Sequence, residues 1–356
     1  MGFGGYALGV KEFPEQFEAV SIDALWVSTP ENVRYLSGFS SPEDGRVLLW
    51  PDGSGLLFTD GRYTVQAAEE SSLEVVIFSS QADLDQQLSR RLSGKRLGVE
   101  ADHLTLQAAR RLEGLSLQLK EVSGLIEERR RVKTPAEVER IRKAAELADR
   151  ALESALPTLQ VGTRELDFAF AVEAALRRLG ANGVAFDFIV ASGPRSAMPH
   201  GRASERQVEE GDLVTVDMGA LYQGYHSDMT RAYPLGQLGS RLRSLYQEVL
   251  RVEQLAVEAV RPGVTGGELD QLAREALGRA GLAEAFAHSL GHGVGLAIHE
   301  GPRLAKGSQD RLEPGMVVTI EPGVYFPGFG GVRIEDLLLV TESGHSVLSH
   351  AAKAEL

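Results

Sequence analysis

The 356-residue sequence contains no cysteine. That excludes disulfides, thiolate metal sites and cysteine nucleophiles together, and it suits a reducing cytoplasm. No apolar run approaches the ~18 residues a membrane span requires. The opening MGFGGYALGV has no basic stretch ahead of an apolar one, so no signal peptide is expected. Tyr6 stands where a myristoylation signal needs Ser or Thr. Basic charge is also scarce: 37 Lys and Arg face 50 Asp and Glu, a formal net charge of −13. That balance disfavours a nucleic-acid partner, whose phosphates need a cationic surface. The clearest basic run, RRRVK (Arg129 to Lys133), lies beside Glu127 and Glu128 and reads as a solvated helix face. Several catalytic signatures are missing as well. There is no G-x-S-x-G elbow and no phosphate-binding P-loop, and HEGPR (His299 to Arg303) is not the H-E-x-x-H of a zincin.

The composition, 43% hydrophobic and 24% charged, is that of a globular protein, and the length suits two domains. The first part alternates short strands and helices. DALWVS, RVLLWP, LLFTD, LEVVIF and RLGVE read as strands, TVQAAEE and QADLDQQLSRRL as helices, and PDGSG as the turn of a hairpin. This alternation predicts an α/β domain. The character changes near Glu127. TPAE (Thr134 to Glu137) is a capping box with proline at the first helical position, opening a long helix with Val138, Ile141, Ala145 and Ala148 on one face. The boundary is expected within about 125 to 133, giving domains 1–128 and 129–356. In the second part VGTRELD (Val161 to Asp167) returns as VTGGELD (Val264 to Asp270), an offset of 103 residues. Both copies lead into helices and then strand-rich sequence. A duplicated unit with a pseudo-two-fold axis follows, and a site can sit between the halves.

VTVDMGALYQGYHSDMTRAYPLG (Val214 to Gly236) carries Asp217 and Asp228 in β-like runs, where aspartate is depleted. Further on, VVTIEPGVY ends a strand at Glu321, and GGVRIEDLLLV reads as a strand with Glu335 inside it. HSLGHGVGLAIHE places His288, His292 and His299 within twelve residues, laced with glycines that allow close backbone approach. Four strand-associated carboxylates would repel one another and shift each other's pKa. One resolution is ion pairing with Arg231 and Arg333. The other is divalent metal. Oxygen-rich ligands with an imidazole suit Mn(II), Co(II), Fe(II) or Zn(II), and the number of carboxylates suits two ions with bridging ligands.

At these residues the chain resembles the pita-bread metallopeptidases, in the Xaa-Pro branch of prolidase and aminopeptidase P. The likeness covers nearly the whole chain and is most specific in HSLGHGVGLAIHE. It implies an α/β creatinase-like N-terminal domain, matched by DALWVSTPENVRYLSGF and TDGRYTVQA, followed by an α+β pita-bread catalytic domain. The glycine-rich opening MGFGGYALGVKEFPEQ departs from the long basic helix expected there. The resemblance implies two divalent ions, manganese first, held by Asp217, Asp228, His292, Glu321 and Glu335, with Asp228 and Glu335 bridging. PHGRAS carries the counterpart of an upstream catalytic histidine, here His200. His299 matches a histidine at the scissile region and His288 one lining the substrate pocket. Arg333 matches an arginine of this branch and is assigned to substrate binding. Creatinases lack this ligand set, and methionine aminopeptidases usually lack the N-terminal domain.

The implied reaction is hydrolysis of the bond before a trans-proline, with Glu321 as proton shuttle. Xaa-Pro dipeptides are the preferred substrates. The alternatives are release of the first residue from longer Xaa-Pro peptides, or a pita-bread binding protein that has lost catalysis. A dipeptidase must recognise the proline carboxylate with a cation, and Arg46, after the loop SSPEDG, is the candidate; its other reading is an ordinary strand-start arginine paired with Glu43 or Asp44. Arg62, in TDGRY, reads as structural. A cytoplasmic homodimer is expected, with no membrane partner.

Overall fold

The computed structural model describes residues 13–356, so the N-terminal glycine-rich run up to residue 12 lies outside the described residues. The chain divides into two units, the first ending at Arg129 and the second spanning Arg130–Leu356.

The first unit is built on strands β1 (Ala24–Val27), β2 (Arg46–Leu49), β3 (Gly55–Asp60), β4 (Glu74–Phe78), β5 (Arg96–Glu100) and β6 (Gln118–Val122). They form one six-stranded sheet in the order β4-β3-β2-β1-β5-β6. The β2–β3 hairpin read from PDGSG is present and antiparallel, while β1–β5, β5–β6 and β3–β4 run parallel. Helix α1 (Pro14–Val20) precedes β1, and α2 (Pro30–Ser37), α3 (Thr64–Glu70), α4 (Gln81–Leu92) and α5 (Leu106–Gly114) connect later strands. The β1 sequence ALWV is buried on both faces, as a sheet covered from two sides requires. Leu25 and Val27 join one core with Phe17 and Leu36, and Ala24 and Trp26 join another with Leu88 and Leu112. Arg62 ties Asp60 to Asp44 at 2.8 Å each, a structural knot of the kind expected for TDGRY.

A short helix α6 (Glu127–Arg131) carries the chain across the boundary. The second unit opens with α7 (Pro135–Ala155), capped by the Thr134–Glu137 box. Its Val138, Ile141, Ala145 and Ala148 are all buried, as the helical period predicts. Helix α8 (Glu165–Leu179) follows, then β7 (Gly183–Val184), β8 (Ile189–Ser192), β9 (Leu213–Met218), β10 (Ala220–Tyr222), β11 (Tyr225–His226) and β12 (Met229–Pro234). The other half has α9 (Ser240–Ala259), α10 (Gly266–Arg279), β13 (Gly291–Gly293), β14 (Glu300–Leu304), β15 (Val317–Ile320), β16 (Gly323–Phe326), β17 (Gly330–Arg333), β18 (Asp336–Thr341) and β19 (Gly344–Val347). Each half packs a helix pair on an antiparallel sheet: α7 and α8 share a core with β8, β9 and β12, and α9 and α10 share one with β15 and β18. The repeated motif thus opens the second helix of each pair.

The basic run Arg129 to Lys133 corrects the sequence reading. Within the second unit Arg130 and Lys133 are buried, not solvated. They hold Glu300 from two sides, at 2.5 Å from Arg130 and 2.7 Å from Lys133. A local charge count cannot see an acid 167 residues away.

Candidate metal centre

Asp217 lies in β9 and stands directly across the ladder from Thr230 in β12. Asp228 and Glu335 correct the sequence reading, which put both inside strands. Asp228 immediately precedes β12, and Glu335 sits between β17 and β18. The junction position is what brings Glu335 in, because its backbone N–H donates to the Thr230 carbonyl at 3.1 Å and joins the two halves there. Glu321 follows β15 at the Pro-Gly turn, and its N–H donates to Leu290 O at 2.8 Å, next to the histidine segment. His292 is the middle residue of β13. A Cβ on Gly291 would lie 2.1 Å from Thr319 O, and one on Gly293 2.1 Å from Gly301 O. The strands flanking His292 therefore approach closely only because both neighbours are glycine.

These five residues converge. One ligand atom from each of Asp228, His292 and Glu335 falls within 4.8 Å of the others. His292 Nε2 is 3.6 Å from Asp228 Oδ2 and 3.5 Å from Glu321 Oε1. Asp217 is outside that trio; its Oδ2 accepts from Arg333 at 2.6 Å, while its buried Oδ1 has no hydrogen-bond partner among the described residues. The ion-pair alternative is therefore met only once. Arg333 pairs Asp217, whereas Arg231 pairs Asp336 at 2.9 Å and reaches Glu335 only at its backbone carbonyl.

The electrostatics show what that leaves. Burial pushes Asp228 well above the usual carboxylate range, and Glu335, Asp217 and Glu321 push it further. Burial does the same to Glu335, reinforced by Glu321 and Asp217. Glu321 is raised by burial to about 8, with Arg333 opposing. Asp217 is raised by burial against the pull of Arg333. Burial lowers His292 and His288 to about 4, so both imidazoles are neutral at pH 7, the form that ligates. One guanidinium against four buried carboxylates, an orphaned Asp217 oxygen and a neutral imidazole make a donor set that fits hard or borderline divalent cations.

The other expected residues fall around this cluster. The His299 ring stacks edge-on against His292 at 4.3 Å between centroids. His288 Nε2 meets Tyr325 Oη at 2.8 Å, and its Nδ1 is 4.0 Å from Glu321. His200 acts electrostatically on Asp217, His288 and His299. Arg333 is buried and donates to Asp217, Thr230 Oγ1, Tyr325 Oη and Pro199 O, which makes it a brace between the aspartate and the His200 segment. Arg46, in the first unit, donates to the Glu43 and Gly45 carbonyls rather than to a carboxylate.

Two residues were not singled out from the sequence. Thr230 Oγ1 donates to Glu335 Oε2 at 2.7 Å and accepts from Arg333, and Tyr325 links Arg333 to His288. Thr230 lies two residues from Asp228 in one β-like run, so strand alternation puts the two on the same face, although that alone does not point to Glu335. Tyr325 is separated from Glu321 by the Pro-Gly turn, and no local pattern marks it.

Residues 139–342 match metallopeptidase family M24. The chain belongs to that family. Residues 10–132 match the creatinase/prolidase N-terminal domain. An Xaa-Pro dipeptidase of Pyrococcus furiosus is 42% identical over 326 residues, covering 91% of this chain and 92% of that protein. A solved Xaa-Pro dipeptidase from Bacillus anthracis superposes with a TM-score of 0.92 at 38% identity, covering 96% of this chain and 97% of that one. An X-Pro aminopeptidase from Thermotoga maritima gives 0.87 at 34%, covering 96% and 99%. As an M24 metallopeptidase the chain has the creatinase N-terminal and pita-bread catalytic architecture that the resemblance implied, and it is a hydrolase that uses divalent metal.

Proposed function

We propose that this M24 enzyme hydrolyses the peptide bond between an N-terminal residue and proline, with Xaa-Pro dipeptides as preferred substrates. The convergence of Asp217, Asp228, His292, Glu321 and Glu335 beside His200, His288 and His299 carries the reading. Those five side chains would hold two divalent ions, manganese first, with cobalt, iron or zinc as alternatives. When bound, the ions supply Lewis acidity and lower the pKa of water to give a nucleophile near neutral pH.

The chain's own groups do the rest. Glu321 takes a proton from the attacking water and delivers it to the departing proline nitrogen. His299 is kept neutral by burial and donates its ring N–H where negative charge develops on the carbonyl oxygen, and His200 donates alongside it. His288 is held by Tyr325 and lines the pocket for the ring. Proline nitrogen carries no hydrogen, so a peptidase that relies on an amide donor fails on it. Arg46 is the cation assigned to the proline carboxylate. Manganese as the metal, a homodimer and a cytoplasmic location complete the reading; the cysteine-free composition suits that compartment.

The likeness to an X-Pro aminopeptidase favours a second reading, release of the first residue from longer peptides. Proline release from Ala-Pro, compared with cleavage of Ala-Pro-Ala, decides between them. Faster turnover of the dipeptide with manganese, abolished by EDTA, is the expected result. Preference for the tripeptide would establish the second reading. Activity that survives complete chelation would overturn both.

A further inference from the structure

The repeated motif does more than start two helices. In the first copy Glu165 lies in the opening turn of α8 and is fully buried. Its side chain points away from its own helix. Oε1 accepts from Ser192 N at 2.8 Å and Ser192 Oγ at 2.7 Å. Oε2 accepts from Arg195 Nε at 3.0 Å, Ser204 N at 3.1 Å and Ser204 Oγ at 2.6 Å. One carboxylate thus grips both ends of the 192–204 segment. Arg195 reaches across that segment to Arg202 O at 2.6 Å. His200 sits near its far end, beside Pro199, whose carbonyl accepts from Arg333.

The second copy repeats the device with the roles exchanged. By the 103-residue offset Glu165 corresponds to Glu268, and Asp167 to Asp270. Glu268 instead closes a capping box with Thr265. Asp270 is the buried clamp: it accepts from Leu290 N at 3.1 Å and pairs with Arg274, which in turn holds the His288 and Phe286 carbonyls. In the first copy Gly162 stands at the offset position of that threonine, and Arg164, the residue before α8, pairs with the surface residue Asp167 at 2.6 Å. Each half therefore spends one buried acid from the same motif on the segment that bears its histidines.

We propose that Glu165 is a positioning residue for His200, and that Asp270 is its counterpart for the His288–His292 segment. This inference rests on the role given to His200 above. Glu165→Gln tests it sharply. Whichever way the amide turns, its NH2 faces a backbone donor, Ser192 N–H or Ser204 N–H, so one end of the clamp opens.

The experiment compares the manganese-loaded wild type, Glu165→Gln, His200→Ala and the double variant on Ala-Pro. Hydrogen exchange of segment 192–204 is measured alongside. Displacing His200 should cut kcat roughly 10- to 100-fold with a smaller change in KM. The double variant should match His200→Ala within about twofold, because Glu165 has nothing left to position. Exchange in 192–204 should quicken while manganese affinity stays within about twofold. Ser204→Ala, which removes one side-chain link only, carries the same cycle if Glu165→Gln does not fold. Losses that multiply in the double variant overturn the proposal, as does unchanged exchange in the segment. A fully active His200→Ala would instead sink the reading of His200, leaving the exchange result to judge the clamp. Asp270→Asn should weaken manganese binding roughly tenfold or more, through His292; unchanged affinity overturns the second half.

Discussion

Stripping the metal should make stability fall with rising pH on the alkaline side of neutrality. In the metal-free protein Glu321 stays protonated to about pH 8, well above the ordinary carboxyl value of 4.5. Asp228 and Glu335 are raised too. Between those values the folded state binds more protons than the unfolded state, so stability drops as pH climbs toward the folded pKa. Histidine works the other way. His288 and His292, lowered from 6.5 to about 4, make stability rise with pH, but only up to about 6.5, where the unfolded chain has lost those protons. Above 6.5 the carboxyls act alone. Over the 1.5 pH units from there to 8, Glu321 by itself contributes a loss of about 2 kcal/mol at ~1.4 kcal/mol per unit. For a domain of this size that is a fall in Tm of roughly 4–8 °C. Asp228 and Glu335 deepen it. Glu253, raised by burial to about 8, shifts the curve in the same sense with or without metal. The reading is therefore the difference between EDTA-treated and manganese-loaded protein, by scanning calorimetry from pH 6.5 to 8. Calorimetric titration with manganese at pH 7, in two buffers of unlike ionisation enthalpy, should show net proton release. A metal-free Tm that stays level or climbs, relative to the loaded enzyme, would refute the electrostatic account of this cluster.

Glu321→Gln should abolish turnover of Ala-Pro; retention of most activity would remove Glu321 as proton shuttle. Thr230→Val keeps the side-chain shape but leaves Glu335 Oε2 without its donor and Arg333 Nε without its acceptor. A stability loss of roughly 1–3 kcal/mol is expected from those buried groups, measured by urea unfolding. Manganese affinity should weaken about 10- to 100-fold, with Thr230→Ser close to wild type. Arg46→Ala should impair cleavage of Ala-Pro more than of Ala-Pro-Ala, and equal impairment would exclude it as the carboxylate anchor.

Much of this protein is legible residue by residue. The Thr134 cap, the buried stripe of α7 and the β2–β3 hairpin depend on neighbours within a few positions, so local pattern predicts them. That the acids need a shared partner is legible too, because four of them in apolar surroundings beside a glycine-laced histidine run are costly unless something compensates them. Other features depend on partners far away along the chain. Nothing near Lys133 announces Glu300, and nothing near Thr230 announces that its carbonyl and hydroxyl would both serve Glu335, 105 residues later. Even the repeat VGTRELD and VTGGELD, visible as letters, conceals that Glu165 does in one copy what Asp270 does in the other. Sequence alone determined which chemistry these residues can perform, since that depends on side-chain type and short-range spacing. Only the tertiary structure decided which acid meets a guanidinium, which meets a hydroxyl and which is left for metal. Burial and hydrogen bonding are settled by whatever the fold brings within about 3 Å, and sequence distance does not encode that.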